Sequence, residues 1–293
     1  MSREQRELAR KMITTGDLGR TAAQERADFD AVFAERPLGD DVTLTERTLG
    51  GVPALDVRVE GADADAVILY LHGGGYAIGS ARTGANLAAP LSRRTGVPAV
   101  SLEYRLAPEH PFPAAADDAL AAYRELVESG RTVVIAGDSA GGGLAIATLL
   151  GARRAGLPQP AGAVAFSPWV DITLSSTSME TRGDYDPLFS QAQMAKYADW
   201  LLGDGDPRDE LASPLFADLT GLPPLLVQVG SAEVLLDDAL RLVARAAEQE
   251  VDVSLDVVAG APHVFQYFAA MLPEADEALE RTAEFIKNRL RDA

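Results

Sequence analysis

The chain has no cysteine and only three histidines, His72, His110 and His263. Without a thiol there can be no disulfide, thiolate metal site or cysteine nucleophile. The histidines stand in separate motifs and no H-E-x-x-H run occurs, so a zinc hydrolase has no evident ligand set. Long apolar runs are also missing. No stretch approaches the roughly 20 uninterrupted apolar residues of a membrane span, and the charged run Met1-Ser2-Arg3-Glu4-Gln5-Arg6-Glu7 lacks the apolar core of a signal peptide. The expectation is a cytoplasmic protein that does not insert into a membrane. Basic charge is scarce: 26 Lys and Arg stand against 44 Asp and Glu, for a net charge of −18. Such a surface repels nucleic acid and anionic lipid. The partner expected is therefore a small neutral molecule, with a second copy of the chain in a homodimer left open.

What is present is a pentapeptide, Gly137-Asp138-Ser139-Ala140-Gly141, placed after the apolar run Thr132-Val133-Val134-Ile135-Ala136 and before a helical pattern. It reads as G-x-S-x-G on a strand-to-helix turn, which strains one serine out of the top of a parallel sheet. Glycine on both flanks is a steric demand, since a Cβ there would strike the neighbouring strand or helix. The plain alternative is a tight turn with a bystander serine.

A serine hydroxyl needs a base within hydrogen-bond reach. His72 opens His72-Gly73-Gly74-Gly75-Tyr76, directly after the apolar run 66–70. Successive glycines there leave backbone N–H groups bare, as an oxyanion hole requires, so His72 reads as a structural residue of that loop. His110, held between Pro108 and Pro111, reads as structural too. His263 remains, in Gly260-Ala261-Pro262-His263, just beyond the alternating run 253–258. The third member, a carboxylate that holds the imidazole tautomer, should lie between Ser139 and His263 in chain order. Glu233 stands three residues beyond the apolar strand 225–230 and is preferred. Asp237 falls where a helical pattern has begun and is second, because acidic residues in a first turn usually answer the helix dipole. Asp186, in Asp186-Pro187-Leu188 with no strand before it, is third.

With these blocks in view, the chain resembles the hormone-sensitive-lipase family of esterases, within the α/β-hydrolase fold. The matching residues are His72-Gly73-Gly74-Gly75, Tyr104-Arg105-Leu106-Ala107-Pro108-Glu109 with Pro111-Phe112-Pro113, the elbow with Gly142, Ser167-Pro168-Trp169, and Pro262-His263-Val264-Phe265. The resemblance implies a serine carboxylesterase with no metal or organic cofactor. Ser139 would be nucleophile and His263 base, and the N–H groups of Gly74, Gly75 and Ala140 would form the oxyanion hole. The family's usual Asp-Pro-Leu-x-Asp run is replaced here by Glu233-Val234-Leu235-Leu236-Asp237, which puts Glu233 at the catalytic position. A lactone hydrolase with the same machinery is the nearest rival, and a non-catalytic ligand-binding relative is the rival from another class.

The remainder organises around that motif. With 47% hydrophobic and 24% charged residues, the chain suits one domain with an attached lid. Helices are expected over 2–15 and 21–35, then two strands, 42–49 and 52–59, joined at Gly50-Gly51. Phe29, Val32 and Phe33 form the apolar stripe of the second helix. Strands near 66–71, 98–104, 132–137, 161–166, 225–230 and 253–258 alternate with helices near 84–95, 114–129, 141–155, 235–250 and 274–290. That alternation predicts a mostly parallel sheet covered by helices on both faces. Between Ser167 and Leu222 about 55 residues stand where a single helix is expected. The expectation is a cap built from about 1–40 and 172–220, with Trp169, Tyr185 and Tyr197 as candidates to narrow a cavity for short to medium acyl chains.

Overall fold

The computed structural model describes residues 18–34, 36–62 and 65–292; the helix expected over 2–15 lies outside them. Eight strands form one sheet in the order β1-β2-β4-β3-β5-β6-β7-β8. They are β1 Val42–Leu49, β2 Val52–Val59, β3 Ala66–Leu71, β4 Ala99–Leu102, β5 Thr132–Asp138, β6 Gly162–Phe166, β7 Leu225–Gly230 and β8 Val253–Val258. β2 is antiparallel to β1 and β4, and all other neighbours are parallel. The sheet is thus mostly parallel, as the alternation predicts, and agrees with the α/β-hydrolase fold that the resemblance implies. Gly50 and Gly51 both take positive φ, 61° and 80°, as a two-residue hairpin turn between twisted strands demands.

The helices are α1 Ala22–Ala34, α2 Ala81–Thr95, α3 Ala114–Glu128, α4 Ala140–Arg154, α5 Ser178–Thr181, α6 Gln191–Leu202, α7 Leu236–Glu248 and α8 Pro273–Arg291. α2 begins three residues earlier than the periodicity suggests, because Ser80 and Thr83 cap each other's backbone N–H groups. Val32 departs from the expected stripe of α1: it faces solvent while Phe33 is buried. α4 is buried from Ala140 to Ala152, which explains its Gly- and Ala-rich sequence without a polar face.

The period-2 geometry of a strand sends alternate side chains to opposite faces. Val67, Leu69 and Leu71 of β3 accordingly pack with α3, α4 and α7, while Ile68 and Tyr70 pack with α2 and α8. Each such fully buried aliphatic side chain contributes about 1.5–3 kcal/mol. β8 is one of the two edge strands, and its alternating sequence is half exposed.

The chain reverses its direction of travel across the sheet at β3, which has β4 on one side and β5 on the other. Sheets of this kind open a crevice at the carboxyl ends of the strands at that reversal. Leu71 pairs with Gly137 at the ends of β3 and β5. The glycine loop after β3 therefore emerges beside the serine turn after β5.

Candidate active site

Ser139 sits between β5 and α4 with φ 54° and ψ −121°, a conformation that an L-residue holds only when its surroundings enforce it. The enforcement is steric and visible. A Cβ on Gly137 would lie 2.2 Å from the Gly141 carbonyl oxygen, and one on Gly141 would lie 2.0 Å from that of Leu71. The turn is then pinned by two backbone bonds, Ser139 N–H to Phe166 O (2.8 Å) and Trp169 N–H to Ser139 O (3.0 Å). α4 opens immediately behind, so the N–H of Ala140 belongs to the first turn, where no helical carbonyl is available to accept it.

The glycine loop is braced from three sides. Gly73 donates its N–H to Asp138 Oδ1 (3.1 Å), and a Cβ at Gly73 would lie 2.3 Å from Asp138 Oδ2. Gly74 and Gly75 hold φ of 118° and 59°, and their N–H groups meet no acceptor among the described residues. The Tyr104 hydroxyl donates to His72 O (2.7 Å), with its ring stacked on the His72 imidazole. Arg26 of α1 donates to Ala77 O and Ala107 O and pairs with Glu109. The Tyr-Arg-Leu-Ala-Pro-Glu block thus buttresses the loop.

His263 and Glu233 meet directly: Nδ1 of the imidazole lies 2.6 Å from Glu233 Oε2. Glu233 is fully buried, and its other oxygen, Oε1, accepts from the Gly230 N–H (2.7 Å) and the Ser167 hydroxyl (2.8 Å). Ser167 also accepts the Val264 N–H (3.1 Å), so one hydroxyl spaces the acid from the base. Burial pushes the His263 imidazole toward its neutral form. The carboxylate of Glu233, aided by Asp186 and Asp138, outweighs that effect and leaves its pKa raised.

Asp138 joins the two loops. Besides Gly73 it accepts from the Tyr70 hydroxyl (2.8 Å) and from the Tyr267 hydroxyl (3.3 Å), four residues past His263. Burial lifts its carboxyl to about 6, against the pull of Tyr70 and His263.

The other acid candidates have different neighbours. Asp237 Oδ2 accepts the Ser178 N–H (3.1 Å) at the start of α7 and does not touch the imidazole. Asp186 reaches the strand-end loops from the insertion between β6 and β7: Oδ2 accepts the Val234 N–H (2.9 Å), and Oδ1 accepts those of Leu188 (2.7 Å) and Phe189 (3.0 Å). Phe189 stands edge-on to His263, 5.1 Å between ring centres. Sequence context offers Asp186 only as the third candidate acid and Ser167 only as part of a matching block. For Ser167 a signal existed: it follows β6, between the strands that carry Ser139 and Glu233.

The remaining histidines lie apart from this group. His72 is fully buried with Nδ1 2.7 Å from Gly73 O, and burial pushes it down to about 4. His110 is exposed on its turn. Of the bulky candidates, Trp169 is buried beneath the turn, Tyr185 is 61% exposed, and Tyr197 packs against Gly75, where a Cβ would lie 2.8 Å from its ring. A cavity of about 510 Å³ opens beside Tyr123, Thr132, Ala161 and Pro224, at the opposite ends of the strands from Ser139. It contains none of these groups. Among the described residues no cluster of metal ligands occurs, and no helix is long and apolar enough to cross a membrane.

The chain is similar to known proteins. A family model described as the alpha/beta hydrolase fold matches residues 68–267. An acetyl-hydrolase of Streptomyces hygroscopicus is 44% identical over 255 residues, 86% of this chain and 83% of its own. An ethyl acetate hydrolase of Pseudomonas putida is 32% identical over 288 residues, 94% of this chain and 90% of its own. The crystal structure of an esterase from the bacterial hormone-sensitive lipase family superposes with a TM-score of 0.94 at 41% identity, covering 99% of both chains.

Proposed function

Because this chain belongs to the hormone-sensitive-lipase family of α/β hydrolases and is a carboxylic ester hydrolase, we propose that Ser139, His263 and Glu233 perform its chemistry. The observation that carries the assignment is the buried 2.6 Å contact between the His263 imidazole and Glu233, reached through loops that follow β7 and β8. Nδ1 is held as a donor to the acid, leaving Nε2 as the face that can take a proton.

His263 removes the Ser139 proton as the oxygen attacks the ester carbonyl. The carbonyl oxygen becomes negative and is met by the N–H groups of Gly74, Gly75 and Ala140, each such donor being worth about 10²–10³ in rate. His263 then protonates the departing alkoxide, leaving an acyl-serine and an alcohol. Water then attacks the acyl carbon and gives a proton to His263; the bond to Ser139 Oγ breaks, His263 returns that proton to Oγ, and the carboxylic acid leaves. Glu233 stabilises the imidazolium in both halves without itself taking the proton.

The proposal extends to what covers the site. α1 and the insertion between β6 and β7 form a cap, supported by the contacts of Glu25 with Lys196 and Tyr197 of α6. Tyr197 over Gly75 narrows the space beside the oxyanion donors and favours short acyl groups. The names of the acetyl- and ethyl acetate-hydrolysing relatives support the same preference. The net charge of −18 suits a neutral ester and a freely dissolved cytoplasmic enzyme.

Ser139→Ala is the deciding variant. It should lose at least about 10⁴-fold in hydrolysis of short p-nitrophenyl esters while keeping its circular dichroism spectrum, and it should no longer be labelled one-to-one by an organophosphonate. Retained turnover by that variant refutes the nucleophile.

A further inference from the structure

The acid loop between β7 and α7 is held by more than its own strand. Gly230 and Ala232 tie it to the sheet side, through Glu233 Oε1 and Ala261 O. On the other side every contact comes from the insertion. The Val234 N–H donates to Asp186 and the Val234 carbonyl accepts the Ser178 hydroxyl, while Ser178 and Asp237 exchange two further bonds. Asp186 is buried and has no cation partner among the described residues; its oxygens are filled by three backbone N–H groups. Two of those donors, Leu188 and Phe189, begin the segment that lays the Phe189 ring against His263.

From this geometry we infer that Asp186 is a positioning residue for the ester hydrolysis: it couples the seating of the insertion to the placement of Glu233 and supplies a second negative charge facing His263. The inference rests on the triad reading above. One carboxylate bonds the residue next to the acid and, with its other oxygen, the residue that flanks the base. When the insertion is seated, the acid loop is held and the imidazole is walled on one side. When it lifts, both constraints are released together. The group is a carboxylate where an amide could have served as acceptor, and the charge has a use. Imidazolium forms only during proton transfer, so an anion nearby stabilises that state more than the resting one.

Other charged groups face the imidazole from the neighbouring elements: Glu233 from the β7 loop and Asp138 from the end of β5. Burial lifts Asp186 itself to about 6, with Glu233 adding to the rise and the charge of His263 opposing it. Its charge therefore fades as the pH falls toward that value, and it and His263 titrate as a coupled group.

The test is steady-state hydrolysis of p-nitrophenyl acetate across pH by the intact enzyme and Asp186→Asn, with thermal melts and with Ser139→Ala and Glu233→Gln alongside. Asp186→Asn should lose about 10- to 100-fold in kcat with KM changed less than about 3-fold. Removing an anion makes imidazolium harder to form, so the acidic limb of kcat/KM should move to lower pH by about half a unit. Ser178→Ala, which releases the same loop without a charge change, should lower kcat and leave that limb in place. A wild-type kcat in a folded Asp186→Asn, or a lowered kcat with an unmoved limb, overturns the inference, since a purely structural role predicts the latter. Should Asp186→Asn melt below the assay temperature, Asp186→Glu must keep the wild-type limb and Asp186→Gln must move it, and equal limbs in that pair overturn it as well. Inactive Ser139→Ala and Glu233→Gln beside an unaffected Asp186→Asn sink only the coupling. Turnover by Ser139→Ala sinks the triad and the coupling together.

Discussion

The strand-end loops that carry Ser139, Gly74, Glu233 and His263 and the segments that lie against them, α1 and the insertion, are held by different forces. The loops are positioned mainly by backbone: positive φ at Ser139, Gly74 and Gly75, glycines whose missing Cβ atoms leave room for neighbouring atoms, and main-chain bonds to adjacent strands, with the Asp138 carboxylate joining two of them. The segments against them are attached by side-chain carboxylates: Glu25 to Lys196 and Tyr197, Asp186 to Val234, and Asp238 to Val170 and Asp171. Steric positioning is rigid and tolerates no added atom. Carboxylate attachment is strong when paired and sensitive to proton uptake.

The contrast can be broken at its most rigid point. Gly141→Ala places a carbon 2.0 Å from the Leu71 carbonyl oxygen and 2.4 Å from that of His72. The turn cannot close over that clash, so the variant should yield no active enzyme, as measured by soluble yield and esterase assay. An alanine at Gly203, on the side of the insertion, meets no atom within 4 Å. There the cost is the strain of its positive φ, about 1–2 kcal/mol, and activity should persist.

The next largest effect separates the two acids near α7. Glu233→Gln keeps the shape but cannot hold a donor tautomer at Nδ1, and kcat should fall by about 10³-fold or more. Asp237→Asn, which touches the insertion and not the imidazole, should stay within about 5-fold of wild type, since its amide oxygen can still accept the Ser178 N–H. A greater loss at Asp237 would reverse the assignment.

Glu25→Gln weakens the attachment of α1 to α6 by removing the charge facing Lys196. The cost should be about 1–3 kcal/mol, read as a lower Tm. A higher KM should accompany it, with kcat on short esters changed less than about 10-fold, because no strand-end loop is touched. A large kcat loss would show that α1 belongs with the rigidly positioned loops.

The smallest effect is on stability. Burial pushes Asp238 from its ordinary value of 3.8 up to about 7. Across that window the folded chain keeps a proton that the unfolded chain releases, so stability falls as pH rises through it. Asp238→Asn removes this slope and can keep all three bonds, its oxygen accepting from Val170 and Asp171 and its amide donating to Ser176. The margin by which its Tm exceeds that of the wild type should therefore widen by a few degrees between pH 5 and pH 8. An equal difference at both pH values would show that the carboxylate is not the source.

Most of the scaffold was legible because it is written in short-range terms. The parallel strands fell within a residue or two of their apolar runs, with β4 ending earlier because Glu103 turns away to bond the Ala81 N–H. The hairpin at Gly50-Gly51 and the serine turn announced themselves through glycine. Trp169 and Tyr185 were offered as cavity walls, yet one is core beneath the turn and the other faces solvent; aromatic identity alone carries no direction. Asp186 was weighed only as a rival acid. Its bond to Val234 spans 48 residues, and no local pattern marks such a partner.

Periodicity and the steric needs of glycine act over a few residues, so the succession of strands along the chain, the strained turn and a candidate serine, histidine and set of acids could be read before any coordinates. The folded chain alone shows that Glu233 rather than Asp237 meets the imidazole, that Ser167 bonds Glu233 and Val264, and that a carboxylate from the insertion bonds Val234 beside Glu233. Those outcomes depend on which polar groups find partners once water is excluded, and burial is a property of the assembled layers that no short stretch of the chain carries.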